Sequence, residues 1–348
     1  MNAITPRITI DGDDMDFIEG QYESPGNLGS ASLTFQLPLT YAGDKKLWNK
    51  EVLFYFNKQD SSPMFRGWIR RTKVDLNQVE VFAQDALSYA VKDGGTSIAQ
   101  LHLSEQDNLD GLSASAAIKE AIKRCKLSDK LGILGNTSPV VSSVRPPYRG
   151  TIQLLELIKS LLSKAVLNTS TIPRPNIARL IDNGNKSLLL IELQADLDTA
   201  PIVHSYTELN NILSINIVNR RLPSVVIVNG KGGVAGTFSH DTAISAFDRN
   251  YLTITNDSLE SPAECRDFAQ KLFKANEAVQ YEYGLETLEG AYLVENDVIR
   301  VETDDPKFAG NFRVIGKKIN FSPSSFSIGL NINRKPPTLA EYISSRDN

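Results

Sequence analysis

At 348 residues, 41% hydrophobic and 22% charged, the chain has the composition of a folded globular protein and the length of two to three domains of ~150 residues. Its 37 lysines and arginines face 41 acidic residues, for a formal net charge of −4, which disfavours a general binder of nucleic acid or anionic membrane. The two cysteines, Cys125 and Cys265, have neither metal spacing nor a disulfide framework and read as buried core thiols. The N-terminus has no basic stretch leading into an apolar one, so nothing marks it for secretion. No apolar run approaches the ~20 residues that span a bilayer.

From the N-terminus, the pattern alternates with period two, the mark of strands with one buried face. Leu33, Phe35 and Leu37 interleave with Ser32, Thr34 and Gln36, and Val79, Val81 and Ala83 alternate less cleanly with Gln78, Glu80 and Gln84, Phe82 taking one polar slot. Between them Glu51 to Asn57 is β-branched and aromatic. Residues 1–95 therefore read as five or six antiparallel strands closing into a tube-like β-barrel that ends at Gly94 and Gly95. The period then changes to 3.6. Ile118, Ala121, Ile122 and Cys125 form one apolar stripe, and a second helix is expected from Thr151, as N-cap, to Ala165. Pro139, Pro146 and Pro147, and the segment Ile172 to Asn176, read as extended crossings. A strand follows from Lys186 to Gln194, so residues 96–208 read as a helical or α+β middle domain.

Further strands are expected at Ile212 to Val218, Val225 to Val228 and Tyr251 to Thr255. Ser261, Pro262 and Glu264 have the spacing of a capping box at the head of a third helix, whose apolar face is Cys265, Phe268, Ala269, Leu272 and Phe273. The stretch from Leu285 to Ile332 is rich in strands, and Pro336-Pro337 opens a short polar tail.

The chain also repeats itself. The segment from Leu47 and the segment from Leu293 each run through an Asn-containing turn, a strand, a polar loop and a Phe-Arg pair with two basic residues four and five places after the Arg. These are Phe65, Arg66, Arg70 and Arg71 in one copy, and Phe312, Arg313, Lys317 and Lys318 in the other. The fold expected is α+β and mainly β: two related tube-like antiparallel barrels with an α/β insertion region between them.

Residue chemistry points away from catalysis. The stretch from Ser224 to Thr237 starts like a phosphate loop at Lys231, Gly232, Gly233 and Val234. Ala235 and Gly236 then stand where the second Gly and the phosphate-reaching Lys belong, so the stretch reads as a flexible connection. His102, His204 and His240 have no metal-ligand spacing and read as surface or loop residues. The carboxylate pairs Asp13-Asp14 and Asp304-Asp305 sit in turn-like contexts. No catalytic, cofactor-binding or metal-binding residues are expected, and no cofactor.

Two barrels with FRGWIRR and FRVIGKK hairpins, a helical insertion and no catalytic set resemble the baseplate hub proteins of contractile bacteriophage tails, the late control or tail hub family. The base of type VI secretion spike proteins is similar. The resemblance spans about Arg7 to Arg334. It implies a second barrel built from residues 209–230 and 285–335, with 231–284 as an insertion beside the middle domain and 336–348 as a tail. It further implies a homotrimer whose six barrels make a pseudo-sixfold ring, joining a hexameric tail tube to a trimeric spike. The implied partners are the chain itself, the spike, the tail tube or its initiator, and a tape-measure protein. DNA or the tape measure would pass through the lumen without specific binding or membrane insertion. The setting would be the virion tail baseplate, assembled in the bacterial host cytoplasm. Phe65, Arg66, Arg70, Arg71, Phe312, Arg313, Lys317 and Lys318 are the expected inter-subunit contacts. Two other readings stay open: a hydrolase with carboxylates in a cleft between barrel and helical region, and the base of a siphophage tail-associated protein.

Overall fold

The computed structural model describes residues 5–333 apart from 27, 42–46, 91, 94–95, 98–99, 104–108, 110–111, 135–149, 165–175, 194, 209–210, 220–222, 242–243, 246–248, 256–258 and 278–280. The glycine pair 94–95, the proline-rich crossings and the C-terminal tail lie outside the described residues.

The N-terminal alternation becomes seven strands: β1 (Arg7–Ile10), β2 (Asp13–Met15), β3 (Gly20–Ser24), β4 (Ser32–Pro38), β5 (Glu51–Tyr55), β6 (Phe65–Val74) and β7 (Gln78–Gln84). They pair antiparallel in the order β3-β4-β7-β6-β5-β1-β2. Leu33, Phe35 and Leu37 are wholly buried while Ser32, Thr34 and Gln36 are half-buried, as a pleated strand with one core face requires. Asp13 and Asp14 belong to a strand rather than a turn. The turn precedes them, at Asp11 and Gly12, both with positive φ.

The middle region holds β8 (Lys92–Asp93), β9 (Thr96–Ser97), β10 (Gln100–Leu103), α1 (Ala114–Arg124), β11 (Leu131–Ile133), β12 (Gly150–Gln153), α2 (Leu154–Lys164), β13 (Asn176–Asp182) and β14 (Ser187–Leu193). Ser113 caps α1, its Oγ accepting from the Ala116 amide at 3.3 Å, and Ile118, Ala121 and Ile122 are buried against Leu154, Leu157 and Ile158 of α2. Thr151 does not cap α2. It lies in β12, opposite His102, because a β-branched pair at Thr151-Ile152 suits a strand, and the helix starts only with the leucines. Cys125, the C-cap of α1, is half-buried, and burial pushes its thiol up to about 11.

The remaining elements are β15 (Ile202–Thr207), β16 (Ile212–Asn219), β17 (Val225–Asn229), β18 (Ala235–Ser239), β19 (Tyr251–Thr255), α3 (Pro262–Glu277), β20 (Tyr281–Thr287), β21 (Val298–Glu302), β22 (Gly310–Phe321) and β23 (Phe326–Asn333). The capping box heads α3: the Glu264 amide donates to Ser261 Oγ at 3.3 Å and the Ser261 amide donates to Glu264 Oε2 at 3.1 Å. The Glu260 amide, which donates to the same oxygen at 2.9 Å, and the Ser261 amide hold the Glu264 carboxyl below its ordinary pKa.

The sequence groups Val225 to Val228 with the second barrel, but β17 pairs with β18 and β19 in a separate sheet covered by α3. Conversely β15, grouped with the middle region, pairs in parallel with β21. Parallel partners are no contradiction for β17, whose residues Val226 and Val228 are wholly buried, since a strand covered by a helix tolerates parallel neighbours.

The duplication expected from sequence is carried by the sheet order. The first half runs β3-β4-β7-β6-β5-β1 and the second β16-β20-β23-β22-β21-β15, so the six strands correspond in order; the first five also correspond in direction, while β1 pairs antiparallel with β5 and β15 parallel with β21. Phe65 stands opposite Phe54, and Phe312 opposite Ile299, at matching places. Both long strands carry a register shift, between Ile69 and Arg71 in β6 and between Val314 and Gly316 in β22. The hydrogen-bonded path does not return on itself within each half. It passes from one half to the other through β22 and β3, giving a single 13-stranded sheet over one shared core.

Candidate assembly interface

The two Phe-Arg pairs face inward. Phe65 and Phe312 are buried, and each has an aromatic neighbour, Tyr22 for Phe65 and Tyr283 for Phe312, at ring-centre distances of 5.9 and 5.0 Å. Arg66, also buried, forms ion pairs with Asp182 and with Glu51, the latter at 2.6 Å, and donates to the Gly184 carbonyl at 2.8 Å. Arg313, at the equivalent place, donates to the Ala195 carbonyl at 3.0 Å. Asp182 and Gly184 lie at the turn end of the β13–β14 hairpin, and Ala195 lies just past its other end. The repeated arginine thus clamps the two ends of one hairpin of the middle region, one clamp from each half of the large sheet. Asn296 reinforces the second clamp, accepting from the Ala195 amide at 2.6 Å and donating to Glu192 at 3.1 Å.

The basic pairs divide between inside and outside. Lys317 is buried, donating to the Ala291 and Leu293 carbonyls at 2.6 and 2.7 Å, and burial lowers its pKa to about 8. Arg70 lies over the Tyr89 ring at 3.8 Å and donates to Ser88 Oγ at 2.8 Å. Arg71 and Lys318 point to solvent, Arg71 with a 3.6 Å ion pair to Glu80. Of the eight residues expected at subunit contacts, Phe65, Arg66, Phe312 and Lys317 are therefore buried within the chain. Basic residues after a Phe look like a surface patch in one dimension, and their burial becomes visible only once the carbonyl and carboxylate partners from distant segments are placed.

Two further features are not displayed by the sequence. The first is the joint between the halves. β3 pairs antiparallel with the C-terminal part of β22, Ser24 opposite Lys317 and Gly20 opposite Phe321. Phe321 stacks on Phe54 of the other half at 4.4 Å, and Ser24 Oγ donates to Glu295 at 2.9 Å. Gly26 has φ of 76°, and a side chain there would strike the Ile315 carbonyl, so the chain leaves the joint only through glycine. The second feature is what is left unpaired. β16 ends the sheet path, with β20 on one edge and no described strand on the other. Likewise the outer edge of β6 beyond Ile69, which exchanges backbone hydrogen bonds with Asn49 and Lys50, has no described strand partner, and Thr72, Lys73 and Val74 are exposed.

The residues with apparent chemical potential have structural tasks. Lys231 to Gly233 form a turn between β17 and β18 with positive φ at both glycines, so the segment is a tight hairpin rather than a flexible connection. A strand, not a helix, follows it, and Lys231 pairs with Glu260 at 3.0 Å. His240 stacks on Phe273 at 4.8 Å; His204, on β15, is partly buried beside the Tyr292 hydroxyl at 2.7 Å. Asp305 accepts from the Lys307 amide at 2.9 Å, as a turn aspartate does. A cavity of about 850 Å³ does lie between the large sheet and the β13–β14 hairpin, lined among others by Arg66, Asp85, Asp182, Glu295 and Lys317. Asp85 there accepts from the Ala31 and Leu87 amides and from Ser30 Oγ, at 2.7, 3.0 and 2.8 Å, and burial raises its pKa to about 7. With Arg66 and Asp182 paired, and Lys317 and Glu295 hydrogen-bonded to backbone and Ser24, the cavity's charged groups are engaged with the protein itself. Among the described residues, no group of three or more His, Cys, Asp or Glu could hold a metal ion.

No protein-family description matches the sequence, and no curated protein does. Solved structures do match. The tail protein from Neisseria meningitidis MC58 aligns over 95% of this chain and 97% of its own at 12% identity, with a TM-score of 0.66. The 43 kDa tail protein of prophage MuSo2 from Shewanella oneidensis aligns over 95% and 98% at 9% identity, TM-score 0.61. The E. coli c3393 protein, a component of the type VI secretion system described as similar to the T4 tail proteins gp27 and gp5, aligns over 95% and 80% at 10% identity, TM-score 0.54. The chain has the fold of phage tail and type VI secretion proteins along nearly its whole length.

Proposed function

We propose that this chain is the structural hub of a phage-tail baseplate, a homotrimer whose six related β units form a pseudo-sixfold ring between a hexameric tail tube and a trimeric spike. The observation that carries the reading is the one-to-one strand order of the two halves within a single chain. Three copies of a twofold-repeated chain place six similar surfaces around an axis, so one chain can present threefold symmetry to one neighbour and near-sixfold symmetry to another. The fold shared with phage and prophage tail proteins supports it. In this reading barrels and insertions divide at about residues 95, 201, 220 and 281, where the large sheet gives way to the smaller ones and resumes, and the net negative charge discourages DNA or a tape-measure protein from sticking in the lumen. The partners are then the spike, the tube or its initiator and further copies of the chain. The place is the virion tail, after assembly in the host cytoplasm, and the role is non-enzymatic.

Sedimentation and negative-stain imaging of the purified chain at micromolar concentration test this. Three-copy rings with six lobes are the expected result, and a chain that remains monomeric overturns it.

A further inference from the structure

The joint between the two halves is itself a template for the contact between two copies. In the second half, the C-terminal part of β22 is covered by β3, and Ile319 and Phe321 are buried there. The corresponding residues of the first half, Thr72 and Val74 of β6, face the core side of the sheet opposite Val81 and Val79, yet are exposed, Val74 at 55%. Among the described residues, the first half has no strand where the second has β3, which leaves them uncovered. The strand that corresponds to β3 is β16, which ends the sheet path and turns Ile212, Ile215 and Ile217 toward the shared core.

We infer that β16 of one copy pairs antiparallel with the outer edge of β6 in the next copy, repeating between chains the β3–β22 joint made within each chain. The inference rests on the ring reading above and specifies its contact. Transfer of the internal register, in which Tyr22 faces Ile319 and Glu23 faces Lys318, sets Ile215 opposite Thr72, Asn216 opposite Arg71 and Ser214 opposite Lys73, and it ends at Arg70, which the β6–β7 register skips. The charges suit this register. Ser214 carries Glu286 beside it at 3.0 Å, which brings a carboxylate to Lys73, while exposed Leu213 and Val74 meet at the far end. Each edge is unlike its partner, so the contact is head-to-tail and closes only as a ring. It also satisfies two strand edges that have no described partner strand and would otherwise invite indiscriminate pairing.

A cross-linking experiment in the full chain decides the matter. Arg71→Cys with Asn216→Cys puts two thiols on the outer face at directly opposed positions, a geometry that a disulfide can span. Under mild oxidation the double variant should run mainly as a covalent trimer on non-reducing gels. Each single variant, and Thr72→Cys with Asn216→Cys, whose thiols fall on opposite faces of the sheet, should give none. A trimer that assembles normally but does not cross-link in the double variant overturns the strand pairing while leaving the ring intact. Cross-linking by Asn216→Cys alone overturns it in favour of β16 pairing with itself. A monomer that never cross-links defeats both readings. Unchanged thermal melting of the reduced variants confirms that they fold.

Discussion

The two halves of the large sheet share an order of strands but not a distribution of charge. In the first half the clamp arginine, Arg66, meets two carboxylates; in the second, Arg313 meets a neutral carbonyl. The basic pair is inverted as well: Lys317 is sealed in the protein, while Arg70 sits on an aromatic ring near the surface. Strand order is maintained by the alternation of apolar residues, which tolerates exchange among Leu, Ile, Val and Phe. Charges are maintained by particular partners, and the two halves have different neighbours. A duplicated framework can therefore repeat its geometry while each copy performs a different local task.

The sharpest way to break this comparison is to remove each clamp in turn. Arg66→Ala leaves Asp182 buried without its cation, and loss of one partner from a buried ion pair costs about 3–5 kcal/mol. Arg313→Ala removes a hydrogen bond to a carbonyl and should cost nearer ~1 kcal/mol. Urea unfolding of the two variants measures both, and equal losses would mean that the clamps are energetically alike despite their different partners. Burial lowers the pKa of Arg313; at Arg66 burial also pulls the pKa down, but the hydrogen bonds and charges of Asp182 and Glu51 together outweigh it and raise the pKa, in keeping with that ranking.

What was legible in the sequence follows the same division. Period-two alternation at Leu33, Phe35 and Leu37, the stripe through Ile118 and Ile122, and the capping box at Ser261 and Glu264 are local signals, and the elements stand where those signals put them. The repeat was legible because Phe65-Arg66 and Phe312-Arg313 mark the same place in each copy. The β3–β22 joint was not, since pairing between residues 20–24 and 317–321 leaves no periodic trace in either segment. For the same reason Lys317 reads as a surface charge: its acceptors, the Ala291 and Leu293 carbonyls, are backbone atoms that any sequence supplies. β17 misled the reading because a buried Val-rich strand looks the same whether its sheet is large or small.

A second, smaller contrast lies in the basic pair. Lys317→Ala leaves the Ala291 and Leu293 carbonyls without their shared donor, and an unsatisfied buried acceptor costs about 1–3 kcal/mol. Arg70→Ala removes a cation from the face of Tyr89 at a partly exposed site, where such contacts contribute about 0.5–1 kcal/mol. The expected ordering in denaturant midpoint is wild type, then Arg70→Ala, then Lys317→Ala. A reversed order would show that the surface arginine, rather than the internal lysine, secures its half.

The smallest effect sharpens the comparison through pH. β7 stops at Gln84 and hands the chain to the middle region through Asp85, whereas β23 runs on to Asn333, and among the described residues this buried acid has no counterpart in the second half. Burial raises the Asp85 pKa from 3.8 to about 7, against the opposing pull of hydrogen bonds from Ala31, Ser30, Leu87 and Ser88. The folded state therefore holds a proton that the unfolded chain has released between those values. Its contribution to stability is complete below about pH 4 and is lost as the pH rises to about 7, with a slope no steeper than about 1.4 kcal/mol per pH unit. Asp85→Asn removes the titration. Its denaturant midpoint should start lower, because one acceptor oxygen becomes a donor facing the Ala31 amide, and should fall less than that of the wild type between pH 4 and 7. Parallel pH profiles for the two proteins would show that Asp85 stays ionised throughout, held by its donors in spite of burial, and that the first half has no proton-linked hinge at its exit.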